Sequence, residues 1–316
     1  MCLGVADGKE CKVNMKVYPI VPRGYCKGVV RAIKIAKDCA NKYPDQPIYI
    51  LGMIVHNQYI VDALTKLGIT TIDIKGKTRL ELLDEIDEGI VIITAHGAGQ
   101  DVFEKAKSKN LMIIDATCVD VIKTHELIKN KISEGYDVLY VGKKGHPESE
   151  GTLAIDKIHI HLIEKKEDIH RFDTNKKYIL TNQTTMSIHD IQHICDYATS
   201  VLPNVEIAKE TCSATKIRQE AIGNIPNEVD LVIIVGDPNS NNTTRLAQIA
   251  KDVANKDVCM IESIQDLDLS ILNNKHYVAV SSGASTPTYL TNQVIQFLKN
   301  YPNEDIPEID YQHILD

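Results

Sequence analysis

Three cysteines stand out by their settings and their spacing. Cys26, Cys118 and Cys212 close the segments VYPIVPRGYC, LMIIDATC and VEIAKETC, at intervals of 92 residues (26 to 118) and 94 residues (118 to 212). Each follows a β-branched apolar run and a short polar turn, and each precedes a stretch with helical spacing. Three thiolates brought together from equivalent positions can bind zinc or an iron-sulfur cluster. They fall one short of filling a four-iron cluster, and an iron left open to a substrate oxygen favours catalysis over passage of electrons. No Cys-x-x-Cys pair occurs, so any metal site must be assembled from distant segments.

Polar residues recur in register with the cysteines. His56 lies at +30, His146 at +28 and Ser240 at +28, at the ends of PIYILGMIVHN, YDVLYVGKKGHPE and VDLVIIVGDPNSNN. His96, Thr184 and Ser285 follow at +70, +66 and +73, after GIVIITAHG, KYILTNQTT and YVAVSSGAS. These loop tips carry His, Ser, Asn and Thr with few Lys or Arg. Helix amino ends offer free N–H groups and partial positive charge, so neutral side chains beside them suit a phosphorylated small molecule. The loop GDPNSNNTTRL is the strongest candidate cradle. Glu148, in GHPESEG, reads either as a proton donor with its pKa raised by burial near a cluster or as a solvated loop glutamate.

The elements that carry these residues read as a threefold α/β repeat. Short Val/Ile-rich strands followed by helical spacing read as βα units with mostly parallel sheets. Parallel sheets place ligand-binding groups at the carboxyl ends of their strands. Three pseudo-threefold-related small α/β domains would thus face one central site. The boundaries read as a leader over 1–14, units over 15–110, 111–203 and 204–300, and a tail over 301–316. Without an intact G-x-G-x-x-G after a strand, a dinucleotide is not supported. The bland alternative is three Rossmann-like repeats with incidental polar loops.

Composition narrows the class. In 316 residues, 43 acidic side chains outnumber 35 basic ones and leave a net charge of −8, which argues against a nucleic-acid partner. No apolar run approaches the ~20 residues that span a bilayer, so no membrane partner is expected. Eight cysteines scattered along the chain suit a reducing compartment rather than a disulfide framework. Cys39, Cys195 and Cys259 read as structural, and Cys2 and Cys11 fall in the leader. His159 and His161 read as a solvated strand face, and His125, seven residues past Cys118, as a surface residue.

Taken in order, PRGYCKGVVRAI, IVHN, TAHG, DATC, GHPESEGT, NQTT, ETCSATKIRQEA, NSNNTTRL and SSGAS span residues 22–286. Together they resemble the 4-hydroxy-3-methylbut-2-enyl diphosphate reductases, the IspH/LytB family, which complete the methylerythritol phosphate route to isoprenoids. The resemblance implies an oxidoreductase that removes an allylic hydroxyl with two electrons and two protons, giving isopentenyl and dimethylallyl diphosphate. It implies one [4Fe-4S] cluster on Cys26, Cys118 and Cys212 with one open iron. Carried over by motif, His56, His96, His146, Ser240, Asn242 and Ser285 hold the diphosphate, Thr184 lies near the hydroxyl, and Glu148 delivers protons. Two departures stand out: Asn241 replaces the family's usual serine, which shifts that contact toward its backbone N–H, and Ala98 replaces a valine.

The resemblance also implies a reduced ferredoxin or flavodoxin as electron donor and a cytoplasmic location, with a processed plastid-type protein left open. Two readings compete. An iron-sulfur electron-transfer or sensing protein would need no polar ring, and a zinc hydrolase using Glu148 as base would have a weak Lewis acid in three-thiolate zinc.

Overall fold

The computed structural model describes residues 15–316, so the leader, with Cys2 and Cys11, lies outside the described residues. Among the described residues twelve strands run in chain order as β1 (Lys16–Pro19), β2 (Ile48–Leu51), β3 (Ile69–Ile72), β4 (Ile90–Ile93), β5 (Met112–Asp115), β6 (Asp137–Val141), β7 (Ile160–Ile163), β8 (Tyr178–Asn182), β9 (Val205–Ile207), β10 (Leu231–Val235), β11 (Asp257–Ile261) and β12 (Tyr277–Ser282). They form three four-stranded sheets in the orders β3-β2-β4-β5, β7-β6-β8-β9 and β11-β10-β12-β1. Every pairing among them is parallel. The threefold α/β architecture expected from the repeat is the architecture observed.

Central strands explain the apolar runs. Ile90–Ile93 and Leu231–Val235 are buried along their whole length because helices cover both faces of a parallel sheet. The edge strands β1, β5 and β9 are half exposed. These three precede the three cysteines, and each pairs with the sheet of the neighbouring repeat: β1 with β12, β5 with β4, and β9 with β8. The sequence units and the sheets are therefore offset by one strand. Each cysteine thus joins an edge strand of one sheet to the first helix of the following unit.

The helices behind the cysteines show how the repeat diverges. Lys27–Lys42 buries Val29, Ala32, Ile33 and Ala36, an i, i+3, i+4, i+7 stripe. In Val119–Ser133 the same offsets from the cysteine hold Val121, Thr124, His125 and Ile128, and in Ser213–Gly223 they hold Thr215, Arg218, Gln219 and Ile222. His125 is accordingly half-buried and bonded to Thr152 at 3.2 Å, not a surface residue. Two helical turns beyond the cysteine return a side chain to the inward face, where Ile33 sits in the first unit. Burial drives its pKa down to about 4.

Apolar packing is not equally shared. One continuous cluster joins the first and third sheets, running from Ile50 and Ile92 through Ile33 to Val280, Leu298 and Ile314. The middle sheet has its own clusters, around Leu180 and Ile191 on one face and Tyr140 and Ile179 on the other. The C-terminal tail seals the larger cluster: Tyr25 donates to the Ile314 carbonyl and Lys37 to that of Leu315. Cys39 and Cys195 are buried within these clusters, as small apolar side chains would be. No described helix is long and apolar enough to cross a membrane.

Candidate functional site

All three cysteines are N-caps, of the helices Lys27–Lys42, Val119–Ser133 and Ser213–Gly223. The N–H of Cys26 donates to the Ala284 carbonyl at 3.0 Å, that of Cys118 to Ala95 at 3.0 Å, and that of Cys212 to Thr184 at 3.1 Å. Each sulfur is thus set at the positive end of a helix dipole and anchored to the loop behind the last central strand of its sheet. The three thiols line one cavity. A Cβ on Gly28 would lie 2.7 Å from the Cys118 sulfur and 3.8 Å from that of Cys26, so only glycine leaves room between them. Burial pushes the Cys212 thiol up to about 11 and that of Cys118 upward as well. Without a metal to displace their protons these two remain thiols.

The same cavity is also lined by His56, His96, His146, Glu148, Thr184, Ser240, Asn241, Asn242 and Ser285. Every candidate from the sequence therefore faces one space. The imidazole centroids lie 4.8, 5.6 and 5.5 Å apart. Burial is the main cause that lowers all three pKa values, that of His146 to about 3. Neutral rings result. The Nδ1 of His146 accepts the Glu148 N–H at 3.1 Å, which leaves the proton on Nε2 for a ligand. The Nε2 of His56 is buried with no partner among the described residues.

Three histidines at this spacing could also hold a metal ion. Beside them, however, Ser240 caps the helix Asn241–Asp252, whose first N–H groups carry partial positive charge and attract an anion rather than a cation. Ser285 joins this wall, donating to the His56 carbonyl at 3.1 Å and lying 3.4 Å from the Ser240 hydroxyl. The Asn241 side chain donates to the Thr185 carbonyl at 2.8 Å, so its amide is engaged across to the middle unit. Asn242 accepts from the Ala284 N–H at 2.9 Å and reaches Thr215 at 3.4 Å.

Glu148 is no solvated loop residue. It lies in the first turn of the helix Pro147–Leu153 and is 2% exposed. The N–H and hydroxyl of Thr184 reach its two oxygens at 2.7 and 2.9 Å. Those bonds favour the carboxylate, but burial outweighs them and pushes the pKa up to about 7. A carboxyl so placed exchanges a proton near neutrality.

Sequence reading missed several contributors. Thr185, Thr215 and Gly28 line the cavity, and only their positions beside motif residues could have marked them. Two buried guanidinium groups also stand near a lining that reads as poor in cations. Arg79 is 5% exposed, donates to Thr94 at 3.2 Å, and lies 3.7 Å from Glu150. Arg218 is 3% exposed and reaches the Gly24 carbonyl at 2.8 Å. The pairing of His159 with Asp156 at 2.8 Å and of His161 with Asp137 at 3.5 Å leaves those histidines well apart from the site.

Fold and site together define a threefold α/β protein with one cavity lined by three thiols and by a ring of neutral polar side chains. A family model described as LytB protein matches residues 17–299, and the chain belongs to that family. The 4-hydroxy-3-methylbut-2-enyl diphosphate reductase of Brevibacillus brevis is 50% identical over 289 residues, covering 91% of this chain and 92% of the relative. Among solved structures, the E-1-hydroxy-2-methyl-but-2-enyl-4-diphosphate reductase from Plasmodium falciparum superposes with a TM-score of 0.85 at 32% identity, over 96% of this chain and 98% of that one. A second, that of an (E)-4-hydroxy-3-methyl-but-2-enyl diphosphate reductase described as the terminal enzyme of the non-mevalonate pathway, gives a TM-score of 0.64 at 32% identity over 89% of this chain and 98% of that one.

Proposed function

We infer that this chain reduces (E)-4-hydroxy-3-methylbut-2-enyl diphosphate, the compound named in its relatives, and that the products are isopentenyl and dimethylallyl diphosphate. The observation that carries this reading is the single cavity joining three thiols to an anion-binding wall. Its cofactor is an iron-sulfur cluster. We assign the ligands as Cys26, Cys118 and Cys212, which fit the group because all three line one cavity and Gly28 keeps open the space between the sulfurs of Cys26 and Cys118. Bound there with one iron free of cysteine, the cluster supplies electrons and a Lewis-acid position for the allylic hydroxyl.

The chain's own residues do the rest. His56 and His146 donate N–H bonds to the diphosphate, His96 packs against both, and Ser240, Ser285, Asn242 and the backbone N–H of Asn241 complete the grip. Neutral donors suffice because the helix amino end adds its dipole. Held at that end, the substrate is oriented with its hydroxyl toward the thiols and Thr184. The protonated Glu148 carboxyl, bonded to Thr184, delivers a proton. The allylic C–O bond breaks, two electrons and two protons enter, and the oxygen leaves as water. A polar ring of this extent has no use in an electron-transfer or sensing protein that binds no substrate.

We assign the electron donor to the class of small reduced iron-sulfur or flavin carriers, of the ferredoxin or flavodoxin type. We place the reaction in the cytoplasm, where a chain whose described cysteines are all unpaired stays reduced. The test is anaerobic purification followed by turnover of the allylic diphosphate with dithionite and a viologen mediator. A brown protein that forms the two products supports the assignment. A colourless protein that holds zinc and leaves the substrate untouched after iron-sulfur reconstitution sinks it.

A further inference from the structure

Arg218 occupies a position that the other two cysteine helices fill with small side chains. Six residues beyond Cys26 stands Ala32, and six beyond Cys118 stands Thr124, both almost fully buried. Six beyond Cys212 stands a guanidinium that is only 3% exposed. It folds back along its helix toward the thiols, with Nη1 on the Ala214 carbonyl at 3.1 Å and Nη2 on the Gly24 carbonyl at 2.8 Å. Its buried Nε has no partner among the described residues. No described carboxylate lies in salt-bridge range of Arg218, whereas Arg79 has Glu150 at 3.7 Å. Burial disfavours its charge, and the sulfurs of Cys26 and Cys212 are the nearby groups that would offset this if ionised.

A buried charge without a counter-ion is costly, and two carbonyls do not neutralise it. Three thiolates around a four-iron core carry net negative charge, which grows by one unit when the core is reduced. The cation and the anionic site thus complement each other, and more strongly in the reduced state. Net charge and hydrogen bonding near an iron-sulfur cluster are the main levers on its potential. Arg218 also ties the helix of Cys212 to the loop before Cys26, where Gly24 takes a φ of +73° and its N–H donates to Ser282 at 2.7 Å.

We propose that Arg218 is the resident counter-charge of the three-cysteine site, a positioning residue that raises the reduction potential of the bound cluster and clamps two of its ligand segments together. The proposal rests on the three-cysteine ligation assigned above. It predicts that the potential becomes more negative when the charge is removed and moves little when a cation is kept. Turnover with a donor of fixed potential should fall in parallel.

The experiment is an anaerobic redox titration of the loaded protein, followed by electron paramagnetic resonance, on wild type, Arg218→Gln and Arg218→Lys at matched iron content. Glutamine keeps a donor for the Gly24 carbonyl without the charge, and lysine keeps the charge without the planar fork. A negative shift in Arg218→Gln with Arg218→Lys close to wild type supports the proposal. So does cluster loss confined to the glutamine variant. An unchanged potential in Arg218→Gln overturns it, as does equal loss of the cluster from both variants with the fold intact by circular dichroism, because geometry and not charge would then be what the site requires. A wild-type protein that takes up no cluster would instead overturn the ligation itself.

Discussion

At the histidine end of the cavity, burial removes formal charge: three imidazoles are held neutral, and Glu148 keeps its proton until about pH 7. At the thiol end, Arg218 stays buried as a cation with no carboxylate beside it. The histidines and the thiols line one cavity, and on the proposed assignment they face ligands of different kinds. A diphosphate arrives from water and must leave again, so dipoles and neutral donors hold it, and the buried cation near the histidines, Arg79, is paired with Glu150. A cluster is resident, so a permanent counter-charge can be built into the wall beside it.

The largest effect that separates the two ends is expected from Cys118→Ser. It should abolish visible absorption and turnover together while the fold survives, read by iron content and circular dichroism. Retention of a full cluster would remove Cys118 from the ligand set. Glu148→Gln acts at the other end: iron content and KM stay close to wild type while kcat falls about 10²–10⁴-fold, the usual range for a lost general acid. In the wild type, kcat should decline as pH rises through about 7, where the carboxyl loses its proton. A pH profile that is the same in both proteins would place the proton source elsewhere.

His56→Phe deletes a donor whose Nε2 is otherwise unpaired. A bond to a charged oxygen contributes about 1.5–3 kcal/mol, so KM should rise by roughly 10–100-fold with a smaller change in kcat. If kcat fell alone, His56 would belong to the chemical step. Stability should sharpen the contrast more gently. The folded pKa of His146 lies below its ordinary 6.5, so the unfolded chain takes up a proton first as pH falls, and the fold loses stability below about pH 6.5. Glu148 has the opposite sign: its folded pKa is raised, so the folded chain keeps a proton the unfolded one has shed, and its contribution worsens from about pH 4.5 to 7. Urea midpoints against pH for His146→Asn and Glu148→Gln should flatten the acid and neutral limbs respectively. An unchanged curve in either case would show that the side chain titrates alike in both states.

Asn241→Ser should be the mildest. Its amide is engaged with Thr185, so the change removes that link, costing about 1 kcal/mol of stability, and leaves the backbone N–H in place. A KM within about fivefold of wild type fits a backbone contact, whose donor the substitution does not touch. A much larger rise would mean that the side chain itself holds the diphosphate.

Much of this was legible in the chain. The spacing of Cys26, Cys118 and Cys212 and the polar residues in register with them announced a threefold α/β fold with one axial site, because local hydrophobic period and turn chemistry are written residue by residue. His125 shows the limit. Its distance from Cys118 was plain, but seven positions along a helix return to the same face, and only the packed helix shows that this face is inward.

What the sequence by itself determined was which residue types recur, and therefore which groups could converge. The tertiary structure decided the rest, because burial and partnership are properties of contacts between distant segments. It placed the strand before each cysteine in the neighbouring sheet. It desolvated Glu148 enough to outweigh two hydrogen bonds from Thr184. It turned Arg218 inward at a helix position where its counterparts are Ala32 and Thr124, and a charged side chain's cost and purpose there depend on what the surrounding fold leaves unpaired.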